Sequence, residues 1–471
     1  MLGVWQAAEV RAAERQVLAG LPAGALMAKA ARAVAVEATT MLGFTYGAKV
    51  MLLVGWGDNG ADALFAGAEL ARRGVRVSAL LADPDRTDVP ALAAFRSAGG
   101  QLTELASVGP ADLIVDGLVG IGAHGPLREP MVALVQHASI SNAPVLAVDL
   151  PSGVDPDTGA VAGPAIQATV TVCMGAFKAG LLIGEGRVRA GTIRLIDLGL
   201  ATVLAEPASW QLTEDDLDGL LHRPGPFDDK YTRGVVGVAA GSRSYPGAAQ
   251  LCVGAARLGG VGAVRYAGHA AAEVVRRWPE VLVTDTVSAA GRVQAWVVGP
   301  GLGDTVEAIE ALRVVLDSDV PAVIDADGLN LLAGDDELRE LLERRTAVTV
   351  LTPHDREFER LFGAVGSDRI GSARRAAGST GATVLLKGFA TLVATPDGRS
   401  YLNPTGHPAL ATAGSGDVLA GLTGSLLATG IEAGLAAATA AYLHGRAAAD
   451  ASLAGPMVAS DLIQALRTQL S

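Results

Sequence analysis

Asp417 lies in the stretch Ala411–Gly421, ATAGSGDVLAG, where Gly414, Ser415 and Gly416 crowd a single carboxylate at the start of an apolar helical pattern. Two readings are open. Ser, Gly and Asp are ordinary cap and first-turn residues of a helix. They also make a cradle of backbone N–H groups for an anion with a base built in. A second glycine-rich turn, Gly55-Trp56-Gly57-Asp58-Asn59-Gly60, spells G-x-G-x-x-G after an apolar run, and Asp83 ends the next such run. That is the form of a dinucleotide fingerprint, and equally of a plain tight turn. Asp58 and Asp62 stand inside or beside the loop, however, and two carboxylates there oppose a pyrophosphate, so a polar site or a cation suits it better. Further oxygen donors sit at the ends of two later runs: Asp116 in VDGLVGIGAHGP, and Asp149 and Ser152 in VDLPSGVD. Asn59, Asp116 and Ser152 offer hard oxygen ligands with little total charge, suited to a potassium ion, and Asp149 is then free to act as a base. Each Asp alone also reads as a turn residue.

These residues need elements to hold them. KVMLLVGWG, VRVSALLAD, ADLIVDGLVG, APVLAVDLPSG, ATVTVCMG and GTIRLIDLG are six strand candidates before residue 200, separated by helical patterns. Continuous apolar strands alternating with helices predict a parallel sheet covered on both faces, with ligands outside the carboxyl ends of the strands. Residues 205–234 are acidic, proline-bearing and read as free of strands, which puts a domain boundary near residue 210. A second α/β series follows: GVVGVAAGS, GAVRYAG, AWVVGPGLG, PAVIDADGLN, AVTVLTPHD, ATVLLKG and ATLVATPDG. The length of 471 residues fits two domains.

Half the residues are apolar and 18% are charged, so a large core is easily buried. Thirty-seven basic against 49 acidic residues give −12, which argues against nucleic acid or an anionic membrane as partner. Cys173 and Cys252 lie in separate apolar runs, both read as strand-like, and are expected to be buried reduced thiols of a cytoplasmic protein. Glu9, Arg11, Glu14 and Arg15 stand where a signal peptide needs its apolar core. The longest low-charge segment, GSLLATGIEAGLAAATAAYLHG, carries Glu432 and reads as two buried, tightly packed helices instead of a membrane span.

The order of the N-terminal motifs, with DLPSGVD and GAFKAGL among them, resembles the NAD(P)H-hydrate epimerase domain. The resemblance implies a Rossmann-like three-layer domain over residues 1–208 acting on NADH or NADPH hydrated at the nicotinamide ring. It sets Asp58, Asn59, Gly60, Ala61 and Asp62 against that substrate, together with Gly120, Ile121, Gly122, Ala123, His124, Gly125 and Pro126. Asp149 becomes the proton-transfer residue, and Asn59, Asp116 and Ser152 hold potassium. The family's loop usually reads G-x-G-N-N-G-G-D-G; here Asp58 replaces an Asn, and Ala61 and Ala63 replace glycines. The added methyls and carboxylate narrow the pocket, and they keep a cofactor-sensing or oligomerising module as the alternative for this half.

Beyond the boundary, SRSYPGAAQL, GPGLG, DADGLN, LTPHDREFERL, LLKGFATLVATPDG and AGSGD follow in an order that resembles the ADP- or ATP-dependent NAD(P)H-hydrate dehydratases, members of the ribokinase-like fold, over residues 211–471. The usual TPHPGEF here has Asp355 and Arg356 in its middle. The resemblance implies that Asp417 is the base beside the N–H groups of Gly414, Ser415 and Gly416. Lys387, Gly388, Phe389, Ala390 and Thr391 then line the nucleotide, while Ala248, Gly301, Gly303 and His354 contact the hydrated cofactor. ADP is the expected phosphoryl donor, with ATP as the alternative, and the aspartates of DADGLN suit Mg2+. Lys387 also reads as a solvated strand-end lysine, and His354 as a cap on the next helix. The partners implied are small molecules and further copies of the chain. The rival reading is a small-molecule kinase of the vitamin or sugar type.

Overall fold

The structure, a computed structural model, describes residues 1–221 and 223–470. It divides into two compact units, Gly3–Ala208 and the chain from Ser209 onward with Met1–Leu2. The N-terminal unit carries β1 (Leu2–Trp5), β2 (Lys49–Val54), β3 (Arg76–Leu81), β4 (Gln101–Leu102), β5 (Leu113–Gly117), β6 (Val145–Val148), β7 (Val170–Met174), β8 (Phe177–Lys178) and β9 (Thr192–Ile196). Seven of them form one sheet in the order β4-β3-β2-β5-β6-β7-β9, every pair parallel. The short β1 runs parallel to β8, with Trp5 beside Lys178.

Side chains alternate across a strand, and the core follows that alternation. Met51 and Leu53 of β2 pack with Leu134 and Val135 of the helix Met131–Ile140. Leu52, between them, meets Gly67 of the helix Asp58–Arg72 on the other face. Each strand is thus apolar on both sides, which is why the six runs could be read from sequence. This is the expected three-layer α/β arrangement.

The second unit carries β10 (Ser209–Gln211), β11 (Val235–Ala239), β12 (Ala263–Ala267), β13 (Leu282–Thr284), β14 (Ala295–Val298), β15 (Ala322–Ile324), β16 (Thr349–Leu351), β17 (Thr383–Leu386), β18 (Leu392–Ala394) and β19 (Ser400–Leu402). Their order is β13-β12-β11-β14-β15-β16-β17-β18-β19-β10. Pairing is parallel except for the two antiparallel steps β17–β18 and β18–β19. Val236 and Val238 face one core, shared with the helices Pro246–Ala256, Ser415–Ala428 and Ala433–Ser452. Val235 and Ala239 face the other, with Leu312, Leu316 and Leu338 from the opposite helices. The helices Pro246–Ala256 and Ser415–Ala428 touch closely: a Cβ on Gly421 would stand 2.1 Å from the Cys252 carbonyl oxygen, so only glycine fits there.

Two expectations are corrected. The segment 205–234 is not free of strands: Ser209–Gln211 pairs in parallel with Ser400–Leu402, and the Ser209 and Ser400 hydroxyls are 2.9 Å apart. A three-residue strand is too short to show a period. The run around Cys252 is a helix, with Pro246 in its first turn, because a run that is small and apolar all round fits a buried helix as well as a strand. Both cysteines are buried and unpaired, as expected. The low-charge segment forms parts of two buried helices with a break at Gly430, whose φ is +92°; no helix among the described residues is long and apolar enough to cross a membrane.

Candidate active sites

In the N-terminal unit the glycine turn after β2 is forced by contact. A Cβ on Gly55 would lie 1.8 Å from the Leu118 carbonyl oxygen, and one on Gly60 would lie 2.1 Å from that of Gly55. The turn feeds the helix Asp58–Arg72, whose first residues face the carboxyl ends of β5 and β6. Asn59 donates through Nδ2 to the carbonyls of Val119 (2.9 Å) and Val148 (2.7 Å). Its Oδ1 accepts nothing among the described residues and lies against Gly120, where a Cβ would stand 2.4 Å away. Asp116 accepts from the Ser152 hydroxyl (2.7 Å) and from the N–H groups of Ser152 (2.8 Å) and Leu118 (3.2 Å). The Val119 N–H donates to the Ser152 hydroxyl (3.1 Å). Burial pushes the Asp116 carboxyl up to about 6, opposed by those Ser152 donors. The three oxygen residues therefore meet around the Val119 backbone.

Asp149 has φ of 67°, rare for a residue with a side chain. Its Oδ1 accepts from the Met174 N–H (3.1 Å) and pairs directly with Lys178 Nζ. Lys178 is fully buried and donates also to the Met174 carbonyl (2.7 Å). Burial disfavours its charge, but the neighbouring Asp149 more than offsets this and raises its pKa. Two further carboxyls adjoin. Burial, then the charges of Asp149 and Asp58, push Asp62 well above the usual carboxylate range, and its Oδ1 has no hydrogen-bond partner among the described residues. Glu14, on the helix Ala7–Leu18, is pushed up to about 6 by burial and by Asp149. Asp58 is exposed at the helix start, Ala61 and Ala63 are buried, and the Ala63 methyl packs on Gly117 of β5.

The segment after β5 crosses this end of the sheet. Ile121 is buried, an Ala123 N–H to Gly120 carbonyl bond of 3.0 Å closes its turn, and His124 leans on Asp155 (3.3 Å). Gly122, Gly125 and Pro126 are exposed. Sequence reasoning did not single out Lys178, which stands alone as a charge in the apolar run TVTVCMGAFKAGL, and it gave Glu14 no place in a site.

In the C-terminal unit Asp417 sits in the first turn of Ser415–Ala428. AGSGD starts a helix and leaves two of its backbone donors open. Gly414 takes φ of +87°, and the N–H groups of Gly416 and Asp417 find no backbone acceptor among the described residues. Ser415 corrects the expectation, since its N–H reaches the Thr412 carbonyl (3.4 Å) and its hydroxyl bonds the carbonyls of Leu410 (2.8 Å) and Thr412 (3.0 Å). It pins the loop instead of offering a donor. Burial, then the negative charges of Asp325 and Asp327, push Asp417 up to about 7, with Lys387 pulling the other way.

Lys387, following β17, is no solvated lysine. It pairs with Asp325 at 2.7 Å and lies 3.6 Å from Glu357. Burial disfavours its charge, and those two carboxylates restore it and raise its pKa. A Cβ on Gly416 would be 3.6 Å from Lys387 Nζ and 3.9 Å from Asp325 Oδ2, so lysine, aspartate and helix N-terminus converge. His354 caps the helix Asp355–Phe362, Nδ1 accepting from the N–H groups of Arg356 (3.1 Å) and Glu357 (3.2 Å), while its Nε2 stands 3.6 Å from a Glu357 carboxylate oxygen. A cleft of about 430 Å³ is lined by His354, Asp355, Arg356, Lys387 and Gly388. Phe389 is exposed on its approach, Ala390 is buried, and the Thr391 hydroxyl bonds the Gly388 carbonyl (3.2 Å). Gly301 lies against Ala248, whose Cβ a Cβ on Gly301 would approach to 2.6 Å, and the Gly303 N–H donates to Asp327 (2.8 Å). A larger groove, about 540 Å³, lies around Asp112 and Ile140 in the N-terminal unit and holds none of these residues. Among the described residues no group of three or more His, Cys, Asp or Glu is arranged to hold a metal ion.

A family described as YjeF-related protein N-terminus matches residues 23–180, and one described as NAD(P)H-hydrate dehydratase matches residues 236–468. The chain is similar to the bifunctional NAD(P)H-hydrate repair enzyme Nnr of Mycobacterium tuberculosis (strain CDC 1551 / Oshkosh), 50% identical over 437 residues that cover 91% of this chain and 90% of that one. The protein of the same name from Mycobacterium leprae (strain TN) is 47% identical over 99% of both chains. A solved ribokinase-like superfamily protein from Enterococcus faecalis V583 superposes with a TM-score of 0.51 at 25% identity, covering 57% of this chain and 97% of that one.

Proposed function

The chain belongs to the family of bifunctional NAD(P)H-hydrate repair enzymes, and on that premise we propose that its first unit interconverts the R and S hydrates of NADH and NADPH while its second dehydrates the S form. The observation that carries the second half is Asp417: a carboxyl held near neutrality by burial and by Asp325, at an open helix N-terminus beside Lys387. Hydroxide leaves poorly, so dehydration at neutral pH gains from turning the hydroxyl into a phosphate ester. Asp417 takes the hydroxyl proton as the oxygen attacks the terminal phosphoryl of ADP, and the phosphorus–oxygen bond to AMP breaks. The N–H groups of Gly416 and Asp417 and the Lys387 ammonium meet the charge that develops on the phosphoryl. The ring nitrogen lone pair then expels phosphate, and loss of the neighbouring C–H proton restores the dihydronicotinamide. Ala248, Gly301, Gly303 and His354 face the hydrated ring, and Lys387 through Thr391 face the nucleotide.

Mg2+ fits the unpaired side of Asp325 and Asp327, since this ion is usually held by one or two carboxylates and by the nucleotide's own phosphates, not by an all-protein cage. When bound it would neutralise phosphate charge. Potassium fits Asn59 Oδ1, Asp116 and Ser152: the amide oxygen is oriented yet unpartnered, and Gly120 leaves the space that a Cβ would fill. In that unit inversion at the hydroxyl-bearing carbon requires one bond there to break and to re-form on the opposite face. Asp149, aimed by Lys178 and the Met174 N–H, moves the hydroxyl proton. Two buried, unpaired thiols support a cytoplasmic setting.

The test uses the full chain with a mixture of both hydrates and ADP or ATP. Recovery of the dihydronicotinamide absorbance with release of AMP or ADP is expected. A phosphorylated product that persists would instead favour the kinase reading.

A further inference from the structure

The N-terminal site is crowded with carboxyl groups. Asp58, Asp62, Asp149 and Glu14 act on one another electrostatically, and its buried cation, Lys178, is already paired with Asp149. A dinucleotide hydrate brings a pyrophosphate with two negative charges, and no group of this carboxyl cluster attracts it. Something cationic must receive it.

Arg11 is placed to do so. It precedes Glu14 by three positions on the helix Ala7–Leu18, so the two share a face. That helix is fixed at its start by the β1–β8 pairing, which sets Trp5 beside Lys178, and by the Ala7 N–H donating to Asp157 (2.6 Å). Ala7, Val10 and Ala13 are buried, and Arg11 and Glu14 stand half-buried beside them. Glu14 feels Asp149 and Lys178, while Arg11 reaches the segment after β5: a Cβ on Gly122 would stand 3.6 Å from Arg11 Nη1. The guanidinium's charge acts on Glu14, but it makes no ion pair or side-chain hydrogen bond among the described residues. Gly122 has no side chain to cover it.

We propose that Arg11 anchors the pyrophosphate of the hydrated dinucleotide in the N-terminal site, an inference that rests on the epimerase reading of that unit. A guanidinium presents paired donors in the geometry of a phosphate's oxygens, so its loss removes charge-assisted hydrogen bonds that ground state and transition state share. The full chain is assayed without nucleotide, so that dehydration is silent, and interconversion of the separated R and S hydrates is followed by chromatography. Arg11→Ala is expected to raise KM for hydrated NADH about tenfold to hundredfold with kcat little changed, and Arg11→Lys to recover part of that loss. The decisive arm replaces the dinucleotide by hydrated dihydronicotinamide riboside, which carries no phosphate. There the ratio of wild-type to Arg11→Ala kcat/KM is expected to collapse to within about twofold. Equal loss on both substrates overturns the anchor in favour of a structural role, and no loss on the dinucleotide overturns it outright. A wild-type chain that fails to interconvert the hydrates overturns the epimerase reading, and the anchor with it.

Discussion

Asp417 is a carboxylate whose surroundings work against its charge, and that conflict can be measured. Its folded pKa of about 7 lies above the ordinary 3.8, so over that interval the folded state binds the proton more tightly than the unfolded chain. Its contribution to stability is fully present below pH about 4 and is lost as pH rises through about 7. A base must be ionised, so dehydration by the wild type should rise with pH through about 7. Asp417→Asn should cost ~10²–10⁴-fold in kcat, and its melting temperature should match the wild type near pH 4 and equal or exceed it at pH 8. A variant that turns over at near wild-type speed would remove the base assignment; one that melts early at pH 8 would make Asp417 a helix-start residue whose charge stabilises. The Asp149–Lys178 pair makes the opposite case. Both are buried and each answers the other, so Lys178→Met strands a buried carboxylate, which typically costs about 3–5 kcal/mol. The N-terminal unit should then unfold at markedly lower denaturant, with epimerisation lost and dehydration kept. Retained epimerisation would show that Asp149 needs no partner to act.

At the scale of elements, the boundary between units has a consequence for dissection. Ser209–Gln211 pairs with Ser400–Leu402, and Arg374 donates to both the Ser209 and the Ser400 hydroxyls at 3.0 Å. A fragment beginning at Ser209 is expected to be soluble and to dehydrate the S hydrate; one beginning at Gln211 lacks Ser209 and Trp210, leaves the edge of β19 bare and should melt lower or aggregate. Equal behaviour of the two in thermal unfolding would mean that β10 adds nothing. The same strand shows what sequence can carry. Long apolar runs such as KVMLLV and TVTVCM announced their strands because burial on both faces leaves no polar residue to blur them. SWQ has neither length nor alternation, and AAQLCVGAA lacks a polar face from which to tell 3.6 from 2. Among the candidate site residues, Asp116, Ser152, Asp149 and Asp417 were legible because they end apolar runs or open glycine loops. Lys178 and Glu14 were not, because their meaning lies in their surroundings: Asp149 is 29 positions from Lys178, and the first helix follows the pairing of β1 with β8.

At the scale of the molecule, the two chemistries are sequential, since the product of one unit is the substrate of the other. A stereospecific dehydratase alone would strand the R hydrate, and an epimerase alone would repair nothing. If the intermediate passes through solution, the two activities need to share a test tube but not a chain. Given pure R hydrate and ADP, the wild type should recover all of the dihydronicotinamide absorbance after a short lag. Asp149→Asn should stall at the uncatalysed rate of epimerisation. Asp417→Asn should instead accumulate both hydrates at their equilibrium ratio with no absorbance gained. Each variant retains one intact site, so an equimolar mixture of the two should restore full recovery, with a lag that shortens as total protein rises. A mixture that stays as slow as Asp149→Asn alone, while Asp417→Asn still interconverts the hydrates on its own, would show that the hydrate is not exchanged between chains and that the fusion passes it directly from one site to the other.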